Sequence, residues 1–435
     1  MTNQALTAPG ERPATNAELF ANRDFRRLWV AISAASLGDS IAQVALPLLV
    51  YALTGSEALV GLVFAIAVLP DVVLAPISGI LADRLDRRRI ILSADLGRMI
   101  AVCFLPFAGA VWQIVTIAVV VSSFTALSRP AELAAVPMVA GERLNLRAVS
   151  LTMVSGAAIR VIGPTIGGVL VATAGPGPTF FAQALCFVVS AVMIYGLRLP
   201  ERRPELTEST TSATGRASAI TFGLRVLWRQ RAIRAIVGAE MVWAGAGTLL
   251  AIGLVAYTQD TLDLGDSAGT IFGLLIAAFS GGAMVGGLLA GRIEARLGRS
   301  FMLGFGYFAP LLLIAVFFVP PLPLVFAALF LFGLSDSWLV AATNQLIVER
   351  IIDAERGRFY AVWTAIISLA FAAWNGLLGP LTEFAGAPVV FLVVGLVCGL
   401  GCPLVLLLTG TIRELLHSER RSAVLDGGDL PATPV

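Results

Sequence analysis

The chain has 435 residues, of which 57% are hydrophobic and 13% are charged, and its formal net charge is +2. Soluble domains carry about 25% charged residues, and a mean hydropathy of +0.88 is far above their range. This composition excludes a soluble globular domain and indicates an integral membrane protein embedded in a lipid bilayer. The small net charge gives no reason to expect a nucleic-acid partner.

Apolar runs long enough to cross a bilayer as helices, about 20 residues each, recur along the whole chain. Twelve are predicted, at 28–53, 59–82, 90–110, 112–131, 149–173, 178–198, 233–257, 268–291, 300–319, 321–345, 359–382 and 387–409. We therefore predict an all-α membrane protein with twelve transmembrane helices.

The basic residues predict the topology. All thirty are arginine, and those between the apolar runs fall on alternate connections. By the positive-inside rule, both termini are then cytoplasmic, in a multi-pass protein of the plasma (inner) membrane. The N-terminus carries no cleavable signal pattern.

A charged motif occurs twice. GILADRLDRRR at 79–89 has a degenerate copy, GRIEARLGR at 291–299, in which four residues match at a spacing of 212. The chain is therefore predicted to consist of two related halves. The predicted parts are an N-terminal cytoplasmic tail (1–22), a six-helix bundle (23–198), a cytoplasmic linker with an amphipathic helix (199–232), a second six-helix bundle (233–410) and a C-terminal cytoplasmic tail (411–435).

Residues that serve enzymes and cofactors are scarce. The one histidine, His417, lies in the C-terminal tail, and the four cysteines are dispersed through apolar runs, where they are interpreted as packing residues. No glycine-rich phosphate-binding loop with its lysine occurs, which disfavours ATP as a direct energy source. We predict neither a cofactor nor a metal site, and no enzymatic activity.

The first charged motif resembles the loop 2–3 motif of the major facilitator superfamily. The matching residues are Gly79, Leu81, Ala82, Asp83, Arg84, Arg87 and Arg88, while Asp86 departs from the pattern. The segments 22–41, 220–236 and 355–362 are similar to the macrolide-efflux and enterobactin-exporter branch of that superfamily. The resemblance implies two pseudo-symmetric six-helix bundles, a monomer, and secondary active transport by alternating access.

This motif suggests a conformational latch on the cytoplasmic side. Gly79 permits close helix approach, and Asp83 could meet the positive N-terminus of another helix, which the resemblance places near 357–359. Arg84, Arg87 and Arg88 belong to the same latch. The alternative is that the arginines only fix the topology.

Predicted helix 5 carries RVIGPTIGGVL, with Gly163, Pro164, Gly167 and Gly168. The glycines permit close packing, and the proline removes a backbone donor and bends the helix. The segment resembles the superfamily's antiporter motif, although two earlier glycines of that motif are replaced. A packing hinge without directional meaning is the alternative.

Charges inside the bilayer are costly unless they are paired or functional. Asp39 and Arg160 each lie about eleven residues into a predicted helix, near the midplane at 1.5 Å per residue. A salt bridge between them is one expectation. Asp39 could carry the coupling proton, and Arg160 could instead bind anionic substrates.

Other intramembrane charges are weaker candidates. Glu240 and Asp336 lie on predicted helices 7 and 10, which the resemblance places around the central cavity. Asp71 is expected to be satisfied by a neighbouring group, and Asp95 and Arg98 to pair with the charged loop. Trp243, Trp338, Trp363 and Trp374 offer aromatic cavity walls or ordinary packing.

The function predicted is proton-coupled export of amphipathic small molecules, such as a drug, an antibiotic, a siderophore or a related metabolite. The branch resemblance supports export and the substrate class, while the repeat and the topology support transport alone. An importer or a lysophospholipid flippase of the same fold stays open. A membrane-embedded lipid-modifying enzyme is the remote alternative, because the chain lacks a clustered set of nucleophile, base or metal ligands.

Overall fold

The computed structural model describes residues 16–199, 227, 229–262, 264, 267–318, 321–351 and 353–409. Within these ranges the chain forms helices and turns and no strand. Twelve helices are long and apolar enough to cross a membrane. This confirms the predicted all-α fold with twelve transmembrane helices.

A short helix, Asn16–Ala21, precedes the first half. Its membrane helices are α1 (Arg23–Thr54), α2 (Glu57–Ala67 continued by Leu69–Arg84), α3 (Arg87–Cys103 with a 3-10 turn at Leu105–Phe107), α4 (Val111–Gly141), α5 (Arg143–Ala174) and α6 (Pro176–Tyr195). The second half contains α7 (Arg231–Thr248, then Gly253–Ala256 and a π-helical turn Tyr257–Thr261), α8 (Ala268–Leu297), α9 (Arg299–Phe308 with 3-10 helix Ala309–Phe318), α10 (Leu322–Arg350), α11 (Asp353–Ala385) and α12 (Ala387–Leu408).

Local sequence signals set several helix ends. The Asn22 side chain accepts hydrogen bonds from the backbone N–H groups of Asp24 and Phe25, at 3.0 and 3.2 Å, and so caps α1. The same helix stops at Gly55, whose φ of 62° is left-handed. Gly141, with φ of 72°, separates α4 from α5 without any loop.

The apolar core shows how the two halves meet. We call the side on which α1 begins and α12 ends the termini side, and the opposite side the distal side. On the distal side one continuous cluster contains residues of both halves, such as Val60 with Ile252 and Phe272. Towards the termini side the clusters are separate for each half. The halves are therefore packed together at their distal ends.

Glycines bring the helix backbones into contact across this distal interface. A Cβ added to Gly273 of α8 would lie 2.4 Å from the Pro164 carbonyl oxygen of α5. One added to Gly379 of α11 would lie 2.7 Å from the Glu57 carbonyl oxygen of α2. The contacts α5–α8 and α11–α2 are equivalent under the repeat, which supports the predicted pseudo-symmetry of the halves.

The predicted end of helix 4 can be compared with the structure, whereas the predicted domain boundaries cannot. Predicted helix 4 was too short, because α4 continues past residue 131 to Gly141. Residues 1–15 of the predicted N-terminal tail, the whole predicted C-terminal tail (411–435) and most of the linker with its amphipathic helix lie outside the described residues. The domain boundaries therefore stay predictions.

Candidate functional site

A buried arginine in the first half holds three carboxylates. Arg98 of α3, whose side chain is only 3% exposed, contacts Asp95 one turn earlier. Its guanidinium also lies 3.6 Å from Asp39 of α1 and 3.8 Å from Glu132 of α4. We call Arg98, Asp39, Asp95 and Glu132 the Arg98 cluster.

Neutral groups complete the surroundings of the Arg98 cluster. Ser190 of α6 donates a 2.6 Å hydrogen bond to Asp95, and Ser128 donates one of 2.7 Å to Glu132. The Arg98 guanidinium also sits over the Phe187 ring, 4.6 Å from its centroid. These contacts hold Asp95 and Arg98 rigidly inside the half.

Asp39 is the member of the cluster with the most exposed side chain. Its side chain is 44% exposed, and it lines a cavity of 260 Å³ enclosed by α1, α2, α3, α4 and α6. Asp71 and Gln183 line the same cavity. A space of this size holds several water molecules, so water can carry a proton to the Asp39 carboxyl.

The Arg98 cluster contains more acidic than basic side chains. Three carboxylates share one guanidinium, and buried charge without a counter-charge is expensive. The next charged groups, Asp71 and Arg129, bring one charge of each sign and leave the negative surplus unchanged.

Two pairing expectations were wrong. Asp39 forms its ion pair with Arg98 rather than with Arg160. Asp95 and Arg98 pair with each other and not with the charged loop. The reason is depth, because α3 begins at Arg87 and so places Arg98 about 16 Å along the helix axis, inside the bundle.

Arg160 acts across the two halves. Arg160 lies on α5 of the first half. Its positive charge interacts electrostatically with the carboxyl group of Asp336 on α10 of the second half. Asp336 in turn interacts electrostatically with Glu240 of α7. The Glu240 carboxylate also accepts a 2.6 Å hydrogen bond from the Trp363 indole. Arg160, Asp336 and Glu240 thus form a second charged group, centred on the second half.

The other tryptophans serve packing. The Trp338 indole donates to the Gly286 carbonyl at 3.0 Å, and the Trp374 indole donates to the Met241 carbonyl at 2.9 Å. Trp243 stacks on Phe332 with 5.6 Å between ring centroids. Trp363, by contrast, donates its hydrogen bond to the candidate charged residue Glu240.

The helix-5 motif packs in two directions. A Cβ on Gly163 would lie 2.3 Å from Ser40, and one on Gly167 would lie 2.8 Å from the Ile41 carbonyl oxygen, both on α1 next to Asp39. Gly168 faces α8 of the other half. The motif therefore links the helix that carries Asp39 to the interface between the halves.

The charged loop is described only in part. Arg87 donates to the Ala134 carbonyl at 3.4 Å, and Arg88 donates to the Ile194 carbonyl at 3.2 Å, both within the first half. In the repeat, Arg299 contacts Glu349 of α10 at 2.5 Å, and α10 is the equivalent of α4. The side chains of the predicted latch residues Asp83 and Arg84, and the surroundings of Gly79 and Gly357, lie outside what the structure describes.

Sequence reasoning missed one residue of the cavity wall and three residues in or beside the Arg98 cluster. Glu132 lies one residue beyond the predicted end of helix 4, and Arg129 lies within that predicted helix but was not considered as a candidate. Gln183 and Ser190 are uncharged and carried no signal. A rule that treats every charge within a membrane helix as a candidate would have found Arg129 and ranked Arg98 higher.

Comparison with known proteins gives the class. The family model described as transmembrane secretion effector, of the major facilitator superfamily, matches residues 14–422. The chain therefore belongs to this family of major facilitator transporters, and it is a multi-pass membrane transporter and not an enzyme. The resemblance inferred from the charged motif is confirmed.

Individual relatives refine the class. The chain is 30% identical over 382 residues to the multidrug efflux pump Tap of Mycobacterium tuberculosis, covering 83% of this chain and 88% of the pump. It is 28% identical over 424 residues to the enterobactin exporter EntS of Citrobacter koseri, covering 93% and 96%. These relatives confirm the likeness to the efflux branch.

Solved structures share the fold. The crystal structure of the nucleoside transporter NupG matches with a TM-score of 0.72 at 11% identity, over 90% of this chain and 98% of that one. A bacterial homologue of the human lysosomal transporter Spinster, in an inward-facing and unoccupied conformation, matches with a TM-score of 0.69 at 14% identity, over 92% and 99%. At such identities the likeness supports the fold alone.

Proposed function

We propose that the protein exports amphipathic small molecules in exchange for protons, by alternating access of its two six-helix halves. The observation that carries the proposal is the Arg98 cluster, in which three carboxylates share one buried guanidinium beside a cavity. The efflux relatives support the direction of transport and the amphipathic class of substrate.

Asp39 is the proposed proton carrier of the cluster. Asp95 is held by Arg98 and Ser190 with its side chain only 1% exposed, and the Glu132 side chain is 22% exposed. The Asp39 side chain, at 44%, has the best access to water in the cavity. In this proposal the Arg98 guanidinium stabilises the ionised form of Asp39, and the other two carboxylates of the cluster favour its protonated form.

The second charged group is proposed to face the substrate. Glu240, Asp336 and the Trp363 ring combine negative charge with an aromatic surface, which suits an amphipathic molecule with a cationic part. Arg160 would compensate these carboxylates when the site is empty. The positive-inside rule places the termini side in the cytoplasm, so the closed distal side faces outwards.

Transport in proteoliposomes tests the proton role. The measured quantity is accumulation of a fluorescent amphipathic cation such as ethidium, driven by an imposed pH gradient. Asp39→Asn should abolish gradient-driven accumulation and retain downhill equilibration, because the substrate group is intact. The matched control is Asp71→Asn, which removes a carboxylate from the same cavity outside the Arg98 cluster and should retain gradient drive. Full gradient-driven transport by Asp39→Asn would refute the role of Asp39.

A further inference from the structure

The distal interface carries hydrogen bonds between the halves in which the second half supplies the carboxylates. Tyr51 at the end of α1 donates its hydroxyl to Asp260, which lies on the π-helical turn of α7. Ser56, before α2, donates to Glu383 of α11 at 2.8 Å. Because each bond joins the first half to the second, separation of the distal ends must break both.

Glu383 completes the cap of α2 from the opposite half. Ser56 is the N-cap residue of α2, and its hydroxyl oxygen accepts the backbone N–H of Leu59 at 3.3 Å. The Glu383 carboxylate accepts the backbone N–H of Ala58, also at 3.3 Å. The first N–H groups of a helix have no partner within the helix, and the helix dipole attracts negative charge to them. The start of α2 is therefore capped by one residue of each half.

The α2–α11 crossing has an equivalent on the other side of the interface. A Cβ added to Gly61 of α2 would lie 2.3 Å from the Asn375 carbonyl oxygen of α11. One added to Gly273 of α8, 212 residues later, would lie 2.4 Å from the Pro164 carbonyl oxygen of α5. The two crossings therefore share one geometry.

A second pair of glycine contacts sets the register of this equivalence. A Cβ added to Gly379 of α11 would lie 2.7 Å from the Glu57 carbonyl oxygen, and one added to Gly168 of α5 would lie 2.7 Å from the Gly269 carbonyl oxygen. Glu57 and Gly269 are again 212 residues apart, and Gly168 and Gly379 are 211 apart. The α5–α8 crossing adds a long hydrogen bond, 3.5 Å from the Thr270 hydroxyl to the Gly168 carbonyl.

The register shows that the carboxylate contact belongs to one crossing alone. Ala268 of α8 occupies the position equivalent to Ser56, and Ala172 of α5 the position equivalent to Glu383. Alanine side chains form no hydrogen bonds, so this contact has no counterpart at α5–α8. Hydrogen bonds to an ionised acceptor are roughly twice as strong as neutral ones. The α2–α11 crossing thus carries a polar attachment in addition to the shared backbone packing.

We propose that these polar contacts form a distal clasp that sets how readily the distal side opens. The clasp consists of the Tyr51–Asp260 hydrogen bond and the bonds from Ser56 and Ala58 to Glu383. It rests on the proposed alternating access, because the distal side must separate for these bonds to break. Water replaces the lost partners on opening, so the clasp shifts the equilibrium between closed and open states without preventing the motion.

Distance measurements between spin labels test the clasp. Trp112 and Leu324 are equivalent under the 212-residue repeat and are 68% and 58% exposed at the distal ends of α4 and α10. We would label Trp112→Cys and Leu324→Cys in full-length protein in lipid nanodiscs, with the native cysteines replaced by alanine. The measured quantity is the ratio of the short-distance to the long-distance population, without substrate and without a pH gradient.

Single variants remove one contact at a time. Glu383→Ala should lower the closed-to-open ratio by about fivefold, the usual effect of losing a helix cap. Glu383→Gln should lower it less, because the amide oxygen still accepts hydrogen bonds but carries no charge. Tyr51→Phe should lower it by about two- to tenfold, the net value of one hydrogen bond. The control is Thr173→Val at the distal end of α5, whose hydroxyl donates to its own helix at 2.9 Å, and it should leave the ratio unchanged.

Double variants test whether the contacts act as assigned. In the Glu383→Ala background, Ser56→Ala should lower the ratio no further, because the partner of the Ser56 hydroxyl is already absent. Tyr51→Phe in the same background should lower it by its own full factor, since it acts through a different carboxylate.

Two outcomes would overturn the clasp, with each variant shown to be folded by its unfolding temperature. One is the parent ratio in Glu383→Ala, Glu383→Gln and Tyr51→Phe alike. The other is a full further fall when Ser56→Ala is added to Glu383→Ala. If the parent opens and the variants match it, the clasp alone fails. If neither the parent nor any variant opens, alternating access fails with it.

Discussion

Removal of Arg98 should strongly destabilise the first half. The Arg98 side chain is 3% exposed and faces three carboxylates, of which Asp95 is 1% exposed. Deleting one partner of a buried ion pair costs about 3–5 kcal/mol, which corresponds to roughly 150- to 5000-fold in the folded-to-unfolded ratio. The assay measures the stability of purified Arg98→Ala in detergent, both as the midpoint temperature of thermal unfolding and by titration with a denaturing detergent.

A double variant distinguishes the stability lost to uncompensated charge from the stability lost to missing packing contacts. Adding Asp95→Asn to Arg98→Ala removes one of the uncompensated carboxylates and should recover part of the lost stability. The loss in Arg98→Ala should also shrink as the pH falls, because protonation discharges the stranded carboxylates. Arg89→Ala is the matched control, since that side chain is 87% exposed and its removal should change little. Strictly additive losses in the double variant, or a loss below about 1 kcal/mol in Arg98→Ala, would refute the reasoning.

Three further results are expected. Gly282→Ala should lower the unfolding temperature, because its new Cβ would lie 1.8 Å from a backbone oxygen of α10, whereas Gly287→Ala, with nothing within 4 Å, should not. Gly273→Ala, with a Cβ 2.4 Å from a backbone oxygen of α5, should likewise lower the unfolding temperature, because it separates the two halves where they pack together. Arg160→Gln and Asp336→Asn should each impair binding of the amphipathic cation or folding, and the double variant should be more stable than the sum of the single losses predicts.

Each of these results has a contrary outcome. Equal unfolding temperatures for the two alanine variants on α8 would mean that the helices separate without cost. An unchanged unfolding temperature for Gly273→Ala would show that α5 and α8 are not packed closely against each other. Additive losses at Arg160 and Asp336 would mean that the two charges do not interact.

The sequence is sufficient for the helices and their number. Apolar length determines a membrane span, and the arginine-rich connections separate the spans. The repeat of the charged motif predicts the two halves, and Arg87 and Arg299 indeed contact the equivalent helices α4 and α10. Asp39 could also be identified from the sequence, because a single carboxylate within an apolar run is unusual.

Partners of these charges could not be predicted in the same way. Which helix faces α1 depends on packing, so the sequence offers no basis for choosing Arg98 over Arg160 as the partner of Asp39. Glu132 was missed because the end of a helix is poorly defined by hydropathy when polar residues lie inside it. The hydrogen bonds Tyr51–Asp260 and Ser56–Glu383 join residues that are far apart in the chain, and no local pattern marks them.

The location of the Arg98 cluster determines how its proton affinity can change. Its members come from α1, α3 and α4, with Ser190 from α6, and all of these helices belong to the first half. A rocking motion of the halves as bodies therefore leaves the ion pairs intact. Under the proposed mechanism, what alternates is the access of water to Asp39: a wet cavity stabilises its charge, and a dry one favours the neutral acid. Proton capture and release would then follow hydration of one carboxyl, with no salt bridge broken in the cycle.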